Sequence, residues 1–270
     1  MMKIFKLWLF FVFITGVFNV GMVELTLADR VKIPEMVLIP SGEYSMGTVE
    51  GKGRRDEYPL HKVYLDAFYI DRFEVTGKDF EEYLSRNPKQ HPTITGWWDR
   101  EVRTDMKNRP VFGLSWKRCH DYCEWKGKRL ATEAEWERAA AGLEGRKYPW
   151  GNSPPDKEIV NFNRCCFIRK GLSTEKVGSY RAGATPEGIY DLAGNIAEWV
   201  YDWYDENYYK NSEYANPRGP KNGVNHTIRG GAWNSLSGYL RSSARYGYDE
   251  AKDFYGIGCR CAMSVQQYNK

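Results

Sequence analysis

Apolar and polar residues alternate along two segments in the first third of the chain, and this alternation predicts β-strands. Met36–Thr48 (MVLIPSGEYSMGT) predicts a strand, a turn and a second strand, and His61–Thr76 continues the alternation. Two later segments, Thr227–Asn234 and Gly256–Val265, are short and rich in glycine, and they predict further strands. The strands are therefore expected at both ends of the folded region.

Three segments between these strands have helical spacing and capping residues. Gly77–Asn87 predicts a short helix, and Trp116–Trp125 predicts a second helix with Ser115 as its N-cap. Thr132 predicts the start of a third helix, because Glu135 stands three residues later and completes a capping box. The pattern therefore combines strands and helices in one α+β domain.

The amino-acid composition indicates that much of this domain has irregular structure. The chain has 10 Trp, 19 Tyr and 26 Gly among 270 residues. Many glycines favour turns, and many large aromatic side chains favour packing between loops, so a regular helical bundle is not expected. The net charge is only +4 and both signs are interleaved, which argues against a nucleic-acid partner.

The N-terminus has the pattern of a secretory signal. Lys3 and Lys6 precede the apolar run Leu7–Phe18, which is shorter than the roughly 20 residues that a membrane span requires. Ala28 offers a small residue for cleavage, so residues 1–28 are predicted to be a signal peptide. The alternative is an uncleaved anchor, and only then does the chain attach to a membrane. Either interpretation predicts a periplasmic or secreted protein.

In an exported protein, disulfides are the expected state of cysteine. Cys119 and Cys123 are spaced i, i+4 in the second predicted helix, and Cys259 and Cys261 are spaced i, i+2 in the last predicted strand. Each spacing places two side chains on one face, so the helix and the strand are candidates for a double cross-link. Zinc bound by the four thiolates is the alternative, although neither pair has the spacing of common zinc sites.

Several short motifs occur in a fixed order and together resemble the formylglycine-generating enzyme, or sulfatase-modifying factor, family. The resemblance extends from Met36 to Ser264 and defines a domain over residues 36–265. It implies one irregular α+β domain, similar to C-type lectins, with little regular secondary structure. The motifs are MVLIPSGEYSMG, FYIDRFEVTGKDF, RPVFGLSW, GKRLATEAEWERAA, YPWGN, GIYDLAGNIAEW, IRGGAW and GCRCA.

The resemblance also implies a disulfide pairing. Cys123 and Cys261 match positions that form a structural disulfide in the catalytic members of the family. If these two pair, Cys119 and Cys259 remain as natural partners for a second disulfide.

The resemblance implies an activity as well, and the chain departs from the family at the residues that perform it. Catalytic members use O2 and Cu(I), held by two cysteines, to convert a sulfatase cysteine into formylglycine. The matching positions here are Ser235 and Ser237. Cu(I) prefers thiolate over hydroxyl oxygen, so copper is not expected to bind. Thiolates from Cys165 and Cys166 are an alternative source of ligands.

A calcium loop is implied by the segment YDLAGNIAEW. The positions that match family ligands are Asp191, Gly194, Ile196 and Glu198, which offer two carboxylates and two main-chain carbonyls, a donor set suited to Ca²⁺. The family usually has tryptophan where Ala197 stands, so the neighbouring pocket is expected to be reshaped.

Two functions follow from these observations. The first is a binding, accessory or maturation factor without copper oxidase activity, in which an aromatic cleft recognises an exported protein, peptide or glycan. The second is an oxidoreductase that acts on a protein cysteine or on another exported substrate. Tyr239, Tyr246 and Tyr248 suit either function, since tyrosine serves recognition and radical chemistry alike.

Overall fold

A computed structural model describes residues 35–88, 106–164, 174–249 and 256–268 of the chain. Within these ranges the strands form two four-stranded sheets and one two-stranded sheet, in the orders β1-β4-β10-β5, β8-β7-β6-β9 and β2-β3. Neighbouring strands are antiparallel except β6 and β9, which are parallel. The strands are β1 Met36–Ile39, β2 Gly42–Met46, β3 His61–Leu65, β4 Phe68–Asp71, β5 Arg129–Leu130, β6 Ala197–Trp203, β7 His226–Arg229, β8 Arg245–Tyr248, β9 Ile257–Gly258 and β10 Cys261–Ser264.

The three predicted helices form close to their expected bounds, as α1 Gly77–Arg86, α2 Trp116–Trp125 and α3 Glu133–Ala141. Thr132 accepts a hydrogen bond from the Glu135 amide, and the Glu135 side chain accepts one from Thr132 in return. Ser115 accepts a hydrogen bond from the amide of Arg118. A short α4, Val265–Tyr268, follows β10. The capping residues therefore identified the helix starts correctly.

The strand predictions were less complete. The alternating run from His61 forms β3 and β4, which are separated by Asp66 and Ala67 and belong to different sheets. No strand was predicted for β6, the longest strand described. Its first four residues are all buried, so it lacks the alternation that marks a half-exposed strand. Among the described residues, no helix is long and apolar enough to cross a membrane.

A disulfide joins α2 to β10 through Cys123 and Cys261. The structure differs from the expected second disulfide, because Cys119 and Cys259 are free, buried thiols joined by a hydrogen bond. The last predicted strand is broken at Cys259 and Arg260, between β9 and β10. The i, i+2 geometry of a continuous strand therefore does not apply to Cys259. Cys165 and Cys166 lie outside the described residues.

The interior contains ion pairs as well as apolar side chains. Arg229 donates to Glu133 at 2.8 Å and to Glu137 at 2.6 Å, and Arg245 donates to both oxygens of Glu133 at 2.7 and 2.8 Å. All four residues are buried. Two guanidinium groups and two carboxylates balance in charge, which is the condition under which buried charges are tolerated. This network, called the arginine network below, joins α3 to β7 and β8.

Candidate functional site

The loop that carries Ser235 and Ser237 begins where β7 ends. Gly230 and Gly231 have φ angles of +85° and +68°, a conformation that favours glycine. A Cβ on Gly230 would lie 3.1 Å from the Leu192 carbonyl oxygen, so the chain passes close to its neighbours there. The two glycines turn the chain out of the sheet and into the loop.

The Ser235 hydroxyl has a structural partner within this loop. It accepts a hydrogen bond from the Ala232 amide at 2.9 Å, while the Ser235 amide donates to the Ala232 carbonyl at 2.8 Å. This reciprocal pair is a compact turn closed by the serine side chain. Ser237 is exposed and begins a 3₁₀ turn, Ser237–Leu240.

Around the two serines the loop displays apolar and aromatic side chains. Leu236 is 61% exposed and Tyr239 is 41% exposed. The Tyr239 ring stacks on the Tyr246 ring with a centroid distance of 4.7 Å, and the Arg54 guanidinium lies 4.5 Å from the Tyr246 centroid. Leu236, Tyr239, Tyr246 and Arg54 are called the loop surface below. Tyr248 packs elsewhere, against Trp199.

A second segment runs alongside the loop. The Asn163 amide donates to the Ser235 carbonyl at 3.0 Å, and the Arg164 amide donates to the Trp233 carbonyl at 2.9 Å. The Trp233 amide in turn donates to the Asn195 carbonyl. The loop is therefore held by main-chain hydrogen bonds on both sides, and the adjacent chain leads towards Cys165.

The residues predicted to bind calcium lie beside this loop. Asp191 has a φ angle of +59°, and its carboxylate accepts a hydrogen bond from the Gly178 amide at 2.7 Å. Burial raises the pKa of Asp191 to about 6. Gly194 donates from its amide to the Gly230 carbonyl, and a Cβ there would lie 2.4 Å from the Asn161 carbonyl oxygen. Only glycine fits at that position without a shift of the backbone.

Glu198, the other predicted carboxylate ligand, already has strong partners. Arg260 donates to its two oxygens at 2.8 and 2.7 Å, and the indole nitrogen of Trp136 donates at 2.7 Å. The geometry is a bidentate ion pair inside the core. The sequence did not indicate that Arg260, which stands between Cys259 and Cys261 in the GCRCA motif, would be the ion-pair partner of Glu198.

Glu74 is a third buried carboxylate that the sequence did not identify. It accepts hydrogen bonds from the Asn195 side chain at 2.6 Å and from the Ile196 amide at 3.2 Å. Burial, and then the negative charges of Asp191 and Glu198, raise its pKa well above the usual range. Three buried carboxyl groups thus lie around one guanidinium, that of Arg260, which pairs directly with Glu198.

The model of the sulfatase-modifying factor enzyme 1-like domain matches residues 24–265. The chain belongs to the sulfatase-modifying factor family. The resemblance carried by the short motifs is therefore confirmed over nearly the whole described region, and the irregular α+β fold agrees with it.

The relatives of this sulfatase-modifying factor domain include proteins named as a formylglycine-generating enzyme, as an inactive enzyme and as a protein kinase. A formylglycine-generating enzyme of Streptomyces coelicolor is 31% identical, covering 84% of this chain and 88% of the relative. An inactive C-alpha-formylglycine-generating enzyme 2 of Mus musculus is 30% identical over 86% of each chain. A serine/threonine-protein kinase pkn1 of Chlamydia pneumoniae is 37% identical over 86% of this chain, but the match spans only 38% of the relative.

Among solved structures, PvdO from Pseudomonas aeruginosa has the same fold. Its TM-score is 0.71 at 25% identity, and the match covers 88% of this chain and 97% of PvdO. The two proteins therefore share their fold over most of this chain.

The residues that match the copper and calcium positions of the family lie in two groups in this structure. Ser235 and Ser237 lie together on the loop after β7, while Asp191, Gly194, Ile196 and Glu198 lie on the adjoining segment that leads into β6. Ala197 is buried and its amide donates to the Gly256 carbonyl at 2.7 Å, so it faces the core. Within the described residues, a separate cluster of His120, Asp121 and Glu124 on α2 also has metal-ligand spacing, and the histidines alone did not predict it.

Proposed function

We propose that this sulfatase-modifying factor domain is a binding or accessory module without copper oxidase activity. The observation that carries the proposal is the Ser235 hydroxyl, which closes its own turn at the position of a copper cysteine. A hydroxyl has a pKa far above 7 and is a hard ligand, so it does not replace a thiolate on Cu(I). A relative named inactive C-alpha-formylglycine-generating enzyme 2 supports such a role for this fold.

The loop surface is the proposed contact for a partner. Exposed Leu236 and the stacked pair Tyr239 and Tyr246 offer apolar area next to the Arg54 cation. Rigid aromatic side chains with an arginine are frequent anchors in protein interfaces. The proposed partner is an exported protein or peptide, with a glycan as the other class, and the proposed location is periplasmic or secreted because of the N-terminal segment.

A copper oxidase that acts on a protein cysteine is the second candidate. The observation that favours it is the pair of hydrogen bonds from Asn163 and Arg164 to the loop, which bring the chain next to Ser235. Cys165 and Cys166 follow directly in sequence. Thiolates from this pair would then replace those missing at Ser235 and Ser237.

A copper titration separates the two candidates. We expect the purified protein to bind Cu(I) no more tightly than its Ser235→Ala variant, and to consume no O2 with a sulfatase-type cysteine peptide. Ser235→Cys with Ser237→Cys should raise Cu(I) affinity by several orders of magnitude if the loop brings both sulfurs together. Copper-dependent oxidation of the peptide by the unmodified protein would contradict the proposal. Loss of that activity in Cys165→Ser with Cys166→Ser would then support the second candidate.

We also propose calcium at Asp191, and the proposal is supported by the crowding of three carboxyl groups, those of Glu74, Asp191 and Glu198, around the single guanidinium of Arg260. If Ca²⁺ binds only the folded state, chelation should lower the melting temperature, and saturating calcium at about 100 times Kd should add roughly 2.7 kcal/mol. Asp191→Asn should reduce this difference. Identical melting curves with calcium and with chelator would show that the carboxylates are balanced by Arg260 and by protonation instead.

A further inference from the structure

A pocket of about 510 Å³ lies at the opposite end of β6 and β7 from the loop surface. Trp203 of β6 pairs with His226 of β7 at the pocket, whereas Glu198 pairs with Arg229 beside the glycines that begin the loop. The pocket is therefore separate from Ser235 and Ser237. Its volume is in the range of small-ligand sites.

One wall of the pocket is formed by three stacked rings, Trp116, His226 and Trp203, and the stack continues outside the lining to His120. His226 stacks on Trp116 and on Trp203, with centroid distances of 4.0 and 3.7 Å, and His120 also stacks on Trp116 at 4.9 Å. Gly223 packs against the Trp203 indole. The stack is fixed in place, because the Trp116 indole nitrogen donates to the Val200 carbonyl at 2.8 Å.

This stacking determines which part of each ring a ligand meets. Trp116 and His226 each stack against two neighbouring rings, and His226 is 2% exposed with its Nδ1 at 3.2 Å from the Asp202 carbonyl. A ligand therefore meets the edges of the half-buried Trp116 and Trp203, and the edge of an aromatic ring carries positive partial charge whereas its face is negative. Sugar rings pack on open aromatic faces, so the wall does not suit a saccharide. It suits an anion or the electron-rich face of another aromatic ring.

Cations stand at the opening of the same pocket. The Arg218 guanidinium lies 4.5 Å from the centroid of Tyr201. Lys221, which follows shortly after Arg218 in the chain, is also exposed and also lines the pocket. Within the described ranges, no carboxylate forms an ion pair with Arg218 or Lys221. Lys117 is engaged by Asp121 at 2.8 Å.

Two other titratable groups in the lining, Glu213 and His226, do not cancel the positive charge of Arg218 and Lys221. Glu213 contributes one negative charge. Burial lowers the pKa of His226 to about 4, so its ring is neutral near pH 7 and adds no charge to the pocket. The unpaired positive charge of the pocket is therefore concentrated at Arg218 and Lys221.

We propose that this pocket binds a small aromatic anion, such as an aryl carboxylate or an aryl phosphate. The ligand ring lies with its face on the edges of Trp116 and Trp203. Its anionic group meets Arg218 and Lys221 at the opening. The proposal does not depend on the function proposed for the loop surface, because the two sites lie at opposite ends of the sheet.

Binding is measured with benzoate and phenyl phosphate as probes, by ligand-observed NMR and by tryptophan fluorescence of the full chain. Both probes should bind about tenfold more tightly than benzyl alcohol, which lacks the charge. Cyclohexanecarboxylate keeps the charge but has no aromatic face, so its affinity should be lower than that of benzoate by about threefold or more. Binding of both anions should weaken as salt is raised, since Arg218 and Lys221 are exposed.

Two surface variants test the cations without disturbing the core. Arg218→Gln and Lys221→Gln should each lower phenyl phosphate affinity about fivefold or more, while the melting temperature stays the same. Lys176→Gln is the matched control, because Lys176 is exposed and outside the lining. Equal binding of benzoate and benzyl alcohol, unchanged affinity in Arg218→Gln, or no binding of either anion at millimolar concentration would overturn the proposal.

Discussion

Replacing Arg229 by methionine is expected to lower the free energy of unfolding by about 3–5 kcal/mol, because it leaves part of a buried charge network unpaired. Arg229 is fully buried and donates to Glu133 and Glu137. Arg245 still pairs with Glu133 in the variant, so the uncompensated charge is that of Glu137. Urea denaturation of the variant and the wild type measures the difference.

The control for this prediction is an exposed pair. Lys62→Met removes a cation that lies 3.1 Å from Glu43, both partners being well exposed, and should change stability by less than about 1 kcal/mol. Arg229→Met combined with Glu137→Gln should cost less than the sum of the two single changes, because the double variant removes both charges. Additive losses would show that Arg229 and Glu137 are not coupled in solution.

The arginine network also shows what the sequence could not reveal. Arg229 and Glu133 are separated by 96 positions, and Arg245 and Glu133 by 112. Each of these residues taken alone is a common charged side chain, and nothing in its neighbours indicates burial. Local signals such as the Thr132 capping box, by contrast, act within one helical turn and were identified correctly.

The same distinction applies to the candidate site. The motifs predicted roles for Ser235, Ser237, Asp191 and Glu198, because each stands at a fixed offset from glycines or aromatic residues. They did not identify Arg260 as the partner of Glu198, or Glu74 as a third carboxylate, since these come from distant segments. The ring stack at the second pocket likewise combines α2, β6 and β7, so only the folded chain brings its members together.

The disulfide is the second feature with a large expected effect. Cys123 and Cys261 are 138 positions apart, and a cross-link that closes so long a loop restricts the unfolded chain strongly. Cys123→Ala with Cys261→Ala should lower the free energy of unfolding by roughly 4 to 5 kcal/mol in the chain-entropy model. Changing both residues prevents a remaining sulfur from pairing with Cys119 or Cys259.

The free thiols provide the matched control. Cys119→Ala with Cys259→Ala removes two buried sulfurs from the same helix and the same segment, but no cross-link. Each change should cost about 1 kcal/mol through lost packing. Only loss of the cross-link should also raise the urea m-value, because the unfolded chain then exposes more surface.

Peptide mapping without reduction tests the state of all four sulfurs directly. The expected result is one linked pair, Cys123 with Cys261, and alkylation of Cys119 and Cys259 only after denaturation. Burial raises the pKa of Cys259 well above its usual value, so the thiolate that reacts with alkylating reagents is scarce in the folded protein. A Cys119–Cys259 link would show that the two thiols, already in contact, oxidise within the core. Rapid alkylation of either thiol under native conditions would instead show that α2 separates from the segment before β10, since no reagent reaches a side chain enclosed between them.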